Sequence, residues 1–250
     1  MSYKYGPSIV TDGLVFYVDA ANSKSYDGSA GGTTWTDLVG SNNGTLTNME
    51  TNPANAGYTY DSANGGSIVF DGSNDYIDLG DVLDMGTNSV TVVCWVKLTD
   101  SSMLSIRTPF SKASSRGLLG RYWFNIQSDI SRRGKIRAGF DAGSNNVVIV
   151  DGTTDLRDTG WRMITVVWDR LGDLSIYLET TLENNSDIST YSAVNMQSTD
   201  SLLIGAYSNG VGVPGDFVWQ GNIADTIYYN RALSASEITQ NYNALKNRFV

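Results

Sequence analysis

The chain has 250 residues and a formal net charge of −9, with 26 glycines, 4 prolines, one cysteine and no histidine. This composition predicts a globular chain of packed strands and tight turns, and it argues against a disordered or coiled-coil protein. The negative charge argues against nucleic acid as a partner, because it would repel a phosphate backbone. The absence of histidine removes imidazole as a general base and metal ligand, and the single Cys94 excludes an internal disulfide.

Strand-forming segments, rich in β-branched and aromatic residues, follow one another along most of the chain. In order they are GLVFYVD from Gly13, SIVF from Ser67, DYIDL from Asp75, SVTVVCWVKL from Ser89, RYWFNI from Arg121, KIRAGF from Lys135, NVVIV from Asn146, WRMITVVWD from Trp161, LSIYLE from Leu174, SLLIGAY from Ser201 and NIADTIYYNR from Asn222. The run from Ser89 alternates in polarity, so one of its faces belongs to a core. The series predicts an all-β protein.

One helix is predicted near the end of the chain, in LSASEITQNYNALKNRF. Ser234 and Glu237 have the spacing of a capping box. Apolar residues then recur at helical spacing and predict a stripe that packs on the sheets: Ile238, Tyr242, Leu245 and Phe249. No linker divides the chain, so we expect residues 13–250 to form one domain, preceded by an extended arm over residues 1–12.

The first residues bear on where the protein folds. MSYKYGPSIVTDG has no continuous apolar core of the signal-peptide type. No apolar run approaches the roughly 20 residues that span a bilayer. We therefore expect the protein to fold in a cytoplasm and not to insert into a membrane.

Five segments, read in chain order, carry a family resemblance: GLVFYVDAANSKSY, FDGSNDYIDLG, VTVVCWVKL, GWRMITVVWDR and GNIADTIYYNRALSASEI. Together they resemble the laminin-G-like members of the concanavalin A-like lectin and glucanase superfamily. The resemblance implies a jelly-roll sandwich of two antiparallel sheets with one C-terminal helix, in which the first and last strands lie close together.

The opening MSYKYGPSIVTDGLVFYVDAANSKSY further resembles a set of virion proteins of tailed bacteriophages. That resemblance implies a structural protein that decorates a capsid or belongs to an appendage, assembled in the host cytoplasm. Its expected partners are other capsid or tail proteins, and self-association into a homo-oligomer is open. The alternative function is that of a carbohydrate-binding, lectin-like module that recognises host surface glycans.

The sequence lacks the acidic pair of the glucanases in this superfamily, which place two glutamates and an aspartate on one strand. ETTLE contains Glu179 and Glu183, but no aspartate lies between them and the segment ends in a turn. We therefore expect no enzymatic activity and assign no catalytic residue.

The acidic segment FDGSNDYIDLG has two interpretations that the sequence leaves open. Asp71 and Asp75 supply oxygens of the kind that calcium prefers, and the family resemblance adds Asp225 as a third ligand of a structural calcium ion. The other interpretation is a plain turn, because aspartate and asparagine side chains accept hydrogen bonds from their own backbone.

Aromatic residues beside loops are the candidates for a sugar site, since a ring can stack on the apolar face of a sugar. Trp35, Tyr207 and Trp219 are these candidates, and the last two flank a glycine-rich loop. For each ring, packing in the core is the competing interpretation.

The lead SYKYGPSIV predicts a docking arm whose anchors are Tyr3, Tyr5 and Pro7, lying on a neighbouring subunit. A frayed terminus is the alternative.

Overall fold

The structure is a computed structural model that describes residues 7–27, 32–49, 60–113, 119–144, 146–207 and 217–249. Its strands, in chain order, are β1 (Leu14–Asp19), β2 (Thr34–Trp35), β3 (Gly44–Thr47), β4 (Tyr60–Asp61), β5 (Ser67–Asp71), β6 (Tyr76–Asp78), β7 (Val90–Leu98), β8 (Arg107–Lys112), β9 (Arg121–Ile126), β10 (Ile136–Asp141), β11 (Val147–Asp151), β12 (Trp161–Trp168), β13 (Asp173–Leu178), β14 (Thr181–Asp187), β15 (Leu202–Ile204) and β16 (Gln220–Tyr229). Helix α1 spans Ala235–Leu245.

The strands form two antiparallel sheets, which confirms the predicted all-β sandwich. Sheet A has the order β14-β13-β12-β7-β16-β5-β4, and β1 also pairs with β16. Sheet B has the order β11-β10-β9-β8-β15-β6-β3-β2. The pairing of β1 with β16 brings the first and last strands together, as the resemblance implies.

The main core lies between the two sheets and follows the period of two that β-strands impose. In β7, Val92 and Cys94 point into this core, whereas Val93 and Trp95 belong to a second apolar cluster on the opposite face. Sheet A is therefore buried on both faces in its centre. The outer cluster needs a cover, and α1 supplies it.

Helix α1 begins at the predicted capping box. The Ser234 hydroxyl accepts a hydrogen bond from the Glu237 backbone, and the Glu237 carboxylate accepts one from the Ser234 backbone. Ile238 is buried against the outer face of sheet A, and the ring of Trp95 stacks on Tyr242 at a centroid distance of 5.8 Å. The predicted stripe is confirmed. No helix in the described part of the chain has the length and apolarity needed to span a bilayer.

The predicted N-terminal arm is not free in the part that the structure describes, from residue 7 onward. The Val10 backbone N–H donates to Asn241 Oδ1 (2.8 Å), and the Gln240 side chain donates to the Ser8 carbonyl (2.9 Å). The lead therefore docks on the chain's own helix, because α1 satisfies its backbone polar groups. Pro7 lies exposed at the start of this docked segment. Tyr3 and Tyr5 lie outside the described residues.

Candidate functional site

The three predicted aromatic residues do not share one location. Trp35 and Trp219 are 0% exposed and belong to the main core between the sheets. Their rings therefore pack in the interior, and neither reaches a surface on which a sugar could stack. Tyr207 lies elsewhere, on the outer face of sheet B, where it packs against Trp123 and Phe217. That outer face holds the candidate site.

Three neighbouring strands build the outer face of sheet B. In β9, alternate residues point into the main core, and the residues between them point outward. The strand register aligns the outward residues in three rows: Arg121 with Asp141 and Val147, Trp123 with Gly139 and Ile149, and Asn125 with Arg137 and Asp151. Because β9 is buried on both faces, its polar residues are placed in a sheltered environment.

A cavity of about 350 Å³ opens over these three rows of outward residues. One side of it is aromatic. Tyr207 meets the ring of Trp123 edge-on, with centroids 6.1 Å apart, and meets Phe217 at the same distance. Phe217 has a φ of 75°, a strained conformation for a bulky residue, which the surrounding contacts hold in place. Ile106, Val147 and Ile149 add an aliphatic wall, and the rest of the lining is polar.

Gly139 makes room for the ring of Trp123. A Cβ atom at position 139 would lie 2.1 Å from this ring, so the indole can lie against the sheet only because the residue opposite it has no side chain. From the core side, Trp168 donates its indole N–H to the Gly139 carbonyl (3.1 Å). The strand is thus held from one side while the ring covers it from the other.

The first polar row holds a buried ion pair. Arg121 Nη1 lies 2.9 Å from Asp141 Oδ2, and both side chains are almost fully buried. The guanidinium also lies over the Trp123 ring, 4.8 Å from its centroid, and donates to the Tyr207 hydroxyl. Burial raises the pKa of Tyr207, and the positive charge of Arg121 opposes that rise. The phenol therefore stays a neutral hydroxyl beside the cavity.

The third row combines an ion pair with two amides. Arg137 binds Asp151 through two hydrogen bonds, from Nε to Oδ1 (2.6 Å) and from Nη2 to Oδ2 (2.8 Å). Gln127 Nε2 donates to Asn125 Oδ1 (2.6 Å). Within the described residues, this leaves the Asn125 amide N–H groups and the Gln127 carbonyl without a side-chain partner. The cavity therefore offers one neutral donor group and one neutral acceptor side by side.

The acidic segment between β5 and β6 forms a turn that carries the chain from sheet A to sheet B. Asp75 Oδ2 accepts from the Asp71 backbone (2.8 Å), and Asp71 Oδ1 accepts from the Ser73 backbone (2.7 Å). Asp225 lies apart from this turn, because Asp71 pairs with Gln220, five residues earlier in β16, or roughly 16 Å along the strand. The structure brings two of the three predicted calcium ligands together and not the third.

Cations of the chain itself lie in these acidic loops. Arg107 donates to the Gly72 carbonyl of the turn (3.1 Å) and to Asp100 Oδ2 (2.8 Å). Lys112, fully buried, places its ammonium 2.8 Å from Asp81 and 3.3 Å from Asp84. Over the described ranges, no three acidic, histidine or cysteine side chains are grouped so that they could hold a metal ion. The residues present fit a turn braced by arginine and lysine better than a calcium site.

The two glutamates of ETTLE lie away from the cavity, and each has its own partners. Glu179 accepts from Arg162 Nη1 at 2.6 Å. Glu183 accepts four hydrogen bonds from the backbones and hydroxyls of Thr153 and Thr154; burial would raise its pKa, but these bonds outweigh burial and lower it. In the described part of the chain, the residues that line the cavity include no carboxylate.

A family model for laminin G domains, described as the concanavalin A-like lectin/glucanases superfamily, matches residues 71–239. No curated protein matches the chain by sequence. Among solved structures, the binding domain of Paraclostridial Mosquitocidal Protein 1 is similar with a TM-score of 0.65 and 13% identity, covering 93% of this chain and 52% of that chain.

Two further similar structures contain a sugar. Trypanosoma rangeli sialidase in complex with sialic acid has a TM-score of 0.64 at 14% identity, covering 96% of this chain and 34% of that chain. The botulinum neurotoxin serotype D ligand binding domain in complex with N-acetylneuraminic acid has a TM-score of 0.58 at 15% identity, covering 92% and 50%. At these identities the likeness shows the fold alone, and it confirms the predicted jelly roll. The chain spans about half the length, or less, of these structures.

Proposed function

Because the chain belongs to the concanavalin A-like lectin/glucanases superfamily, we propose that it binds glycans in the cavity on the outer face of sheet B. One observation carries the proposal. Trp123, Tyr207 and Phe217 form an aromatic side of this cavity, directly beside the unpaired amide groups of Asn125 and Gln127.

A sugar offers two kinds of surface, and the cavity matches both. Its C–H groups form apolar patches that pack on aromatic and aliphatic side chains. Its hydroxyls both donate and accept hydrogen bonds, so they can satisfy an amide N–H and an amide carbonyl that lie next to each other. The cavity volume of about 350 Å³ lies within the range of small-molecule sites.

The complexes of two structural neighbours with sialic acid support the choice of ligand class. These complexes support only the general class of ligand, a sugar, because each neighbour is a longer protein. Binding on a sheet face also suits this scaffold: rigid strands hold the side chains in fixed positions, which lowers the entropy lost when a ligand binds.

We propose binding without turnover. Hydrolysis of a glycosidic bond requires two carboxyl groups that face the same sugar. The lining of the cavity contributes none from the described residues, and Glu179 and Glu183 hold other parts of the chain together.

The role on a tailed-phage particle, with assembly in the host cytoplasm and capsid or tail proteins as partners, stays a prediction that rests on the opening residues. It is compatible with glycan binding, because a particle that displays many copies would gain avidity for a cell surface. Co-sedimentation with purified particles tests it, and a protein that stays in the supernatant contradicts it.

Binding to a glycan array, followed by calorimetry on the best ligand, tests the proposed function. The double variant Asn125→Ala/Gln127→Ala should weaken binding at least about tenfold, because sugar hydroxyls lose their partners in a sheltered site. The matched control is Asn195→Ala/Gln197→Ala, which removes an exposed asparagine and glutamine that are also two positions apart and joined by a hydrogen bond (3.0 Å).

An array without any bound glycan would refute the function. Equal affinity of the two double variants would show that the glycan binds elsewhere.

A further inference from the structure

We infer that the cavity selects uncharged sugar residues and rejects sugars that carry a carboxylate, such as sialic acid. The inference rests on the proposed function and adds its ligand class. It follows from how the charges around the cavity are paired.

Both guanidinium groups that line the cavity are already neutralised. Arg121 is paired with Asp141 at 2.9 Å, with side-chain exposures of only 4% and 0%. Arg137 holds Asp151 through two short hydrogen bonds. A carboxylate on the ligand would compete with these aspartates for the two guanidinium groups, and displacing Asp141, whose side chain is 0% exposed, would leave a buried carboxylate without its cation.

One neighbouring cation, Arg132, is paired as well. Arg132 lies 3.7 Å from Asp151, but it is itself paired with Asp129 at 2.9 Å. The two arginines at this end of the cavity are therefore matched by two aspartates. The whole chain, with a net charge of −9, adds a field that repels an anionic ligand.

The cavity also offers a pair of neutral amide groups. The Asn125 N–H groups and the Gln127 carbonyl lie beside each other, joined by a 2.6 Å hydrogen bond between the two amides. A pair of sugar hydroxyls can donate to one and accept from the other, whereas a carboxylate only accepts and would be repelled by the Gln127 carbonyl. The same arrangement that favours a neutral sugar disfavours an acidic one.

An array that presents each neutral glycan beside its sialylated form tests this inference on the full chain. The bound glycans should be neutral, and their affinity should change less than about threefold between roughly 0.05 and 0.5 M NaCl, because no charge pair forms with the ligand. Preferential binding of sialylated forms would overturn the inference while the glycan-binding function stands. No binding to any glycan would sink the function itself.

A second experiment uses the variant Asp151→Asn, which releases Arg137 from its carboxylate partner. This variant should gain at least about tenfold in affinity for the sialylated form of a bound glycan, and the gain should fall with added salt. Asp173→Asn is the control, since that carboxylate accepts from Asn185 and not from an arginine. An Asp151→Asn protein that folds and still rejects every sialylated glycan would contradict the charge argument, and the salt dependence of the unmodified chain tests it if that variant does not fold.

Discussion

Asp225 is a carboxyl group buried in the centre of sheet A, and it should make the stability of the fold fall as pH rises. It lies in β16 between Asp19 of β1 and Trp95 of β7, and its side chain is fully buried. No hydrogen bond of normal geometry reaches either of its oxygens from the described residues, although the Trp95 backbone amide lies near enough to favour the charged form. Arg248 Nη1 is 3.7 Å away and also binds Asp19 at 3.0 Å.

Burial is the main cause that raises the pKa of Asp225 to about 8; the charge of Asp19 adds to it and Arg248 opposes it. An unfolded aspartate has a pKa of about 3.9, so between these two values the folded state holds a proton that the unfolded state has lost. This contribution to stability is fully present below about pH 4 and is lost progressively as pH rises to about 8. At pH 7 the loss amounts to about 4 kcal/mol.

Asp225→Asn removes the titrating group and keeps its shape. The amide also lacks partners in this site, which costs about 1–3 kcal/mol but does not vary with pH. The variant should therefore gain stability over the unmodified chain as pH rises, by about 1 to 2 kcal/mol for each pH unit between pH 5 and 8. Urea unfolding at a series of pH values measures this slope.

The control is Asp187→Asn, an exposed carboxylate. Hydrogen bonds from the Ser189 hydroxyl and backbone lower its pKa, so above about pH 5 its substitution should shift the free energy of unfolding by a constant amount and leave the pH slope unchanged. Parallel stability curves for Asp225→Asn and the unmodified chain from pH 5 to 8 would refute the reasoning, since they would mean that Asp225 is ionised in the fold throughout that range.

Two further substitutions test the parts that position the cavity and the acidic loops. Lys112→Met should destabilise the fold by about 3 kcal/mol, because it leaves buried carbonyls and Asp81 without their cation, whereas Lys97→Met on an exposed site should stay within about 0.5 kcal/mol in the same urea titration. Gly139→Ala should push the Trp123 ring off the sheet, lower the free energy of unfolding by about 1–3 kcal/mol and abolish glycan binding. The control is Gly152→Ala, whose Cβ would meet its nearest neighbour at 3.5 Å. An unchanged glycan affinity of Gly139→Ala would contradict the role of the ring.

The fold could be predicted from the sequence because its signals are local. The alternation in β7 places Val92 and Cys94 in the core, and a capping box at Ser234 marks the start of α1. These patterns depend on residues a few positions apart, so no knowledge of the tertiary structure is needed to read them. The order of the strands in each sheet is not local, and the family resemblance supplied only the jelly-roll architecture and the closeness of the first and last strands.

The candidate site was only partly predictable. Trp35 and Trp219 lie next to loops in the sequence, but long-range packing between the sheets decides that both are core residues. Tyr207 was identified, whereas Trp123 and Asn125 were not. A signal for them does exist: β9 reads RYWFNI, with a tyrosine, a phenylalanine and an isoleucine toward the core and polar or large residues between them.

The acidic turn shows why a metal site cannot be inferred from loop chemistry alone. FDGSNDYIDLG contains the oxygens that calcium needs, but the guanidinium of Arg107 reaches Gly72 from 35 residues further along the chain. Lys112 reaches Asp81 across a similar separation of 31 residues. Whether a carboxylate faces a metal or a side-chain cation depends on such distant contacts, which the local sequence does not encode.

The polar residues of β9 point to function for an energetic reason. A side chain on the outer face of a doubly buried strand would be more stable as an apolar residue, unless every polar group is paired. Arg121 is paired with Asp141, but Asn125 and Gln127 satisfy each other through one hydrogen bond and keep unpaired groups toward the cavity. Solvent reaches these free amide groups in the cavity, so under the proposed function a ligand gains binding free energy only where its hydrogen bonds to them are better than those of water. Under the proposed function, this is why the polar residues of the outer face, and not only its aromatic rings, decide the affinity for a sugar.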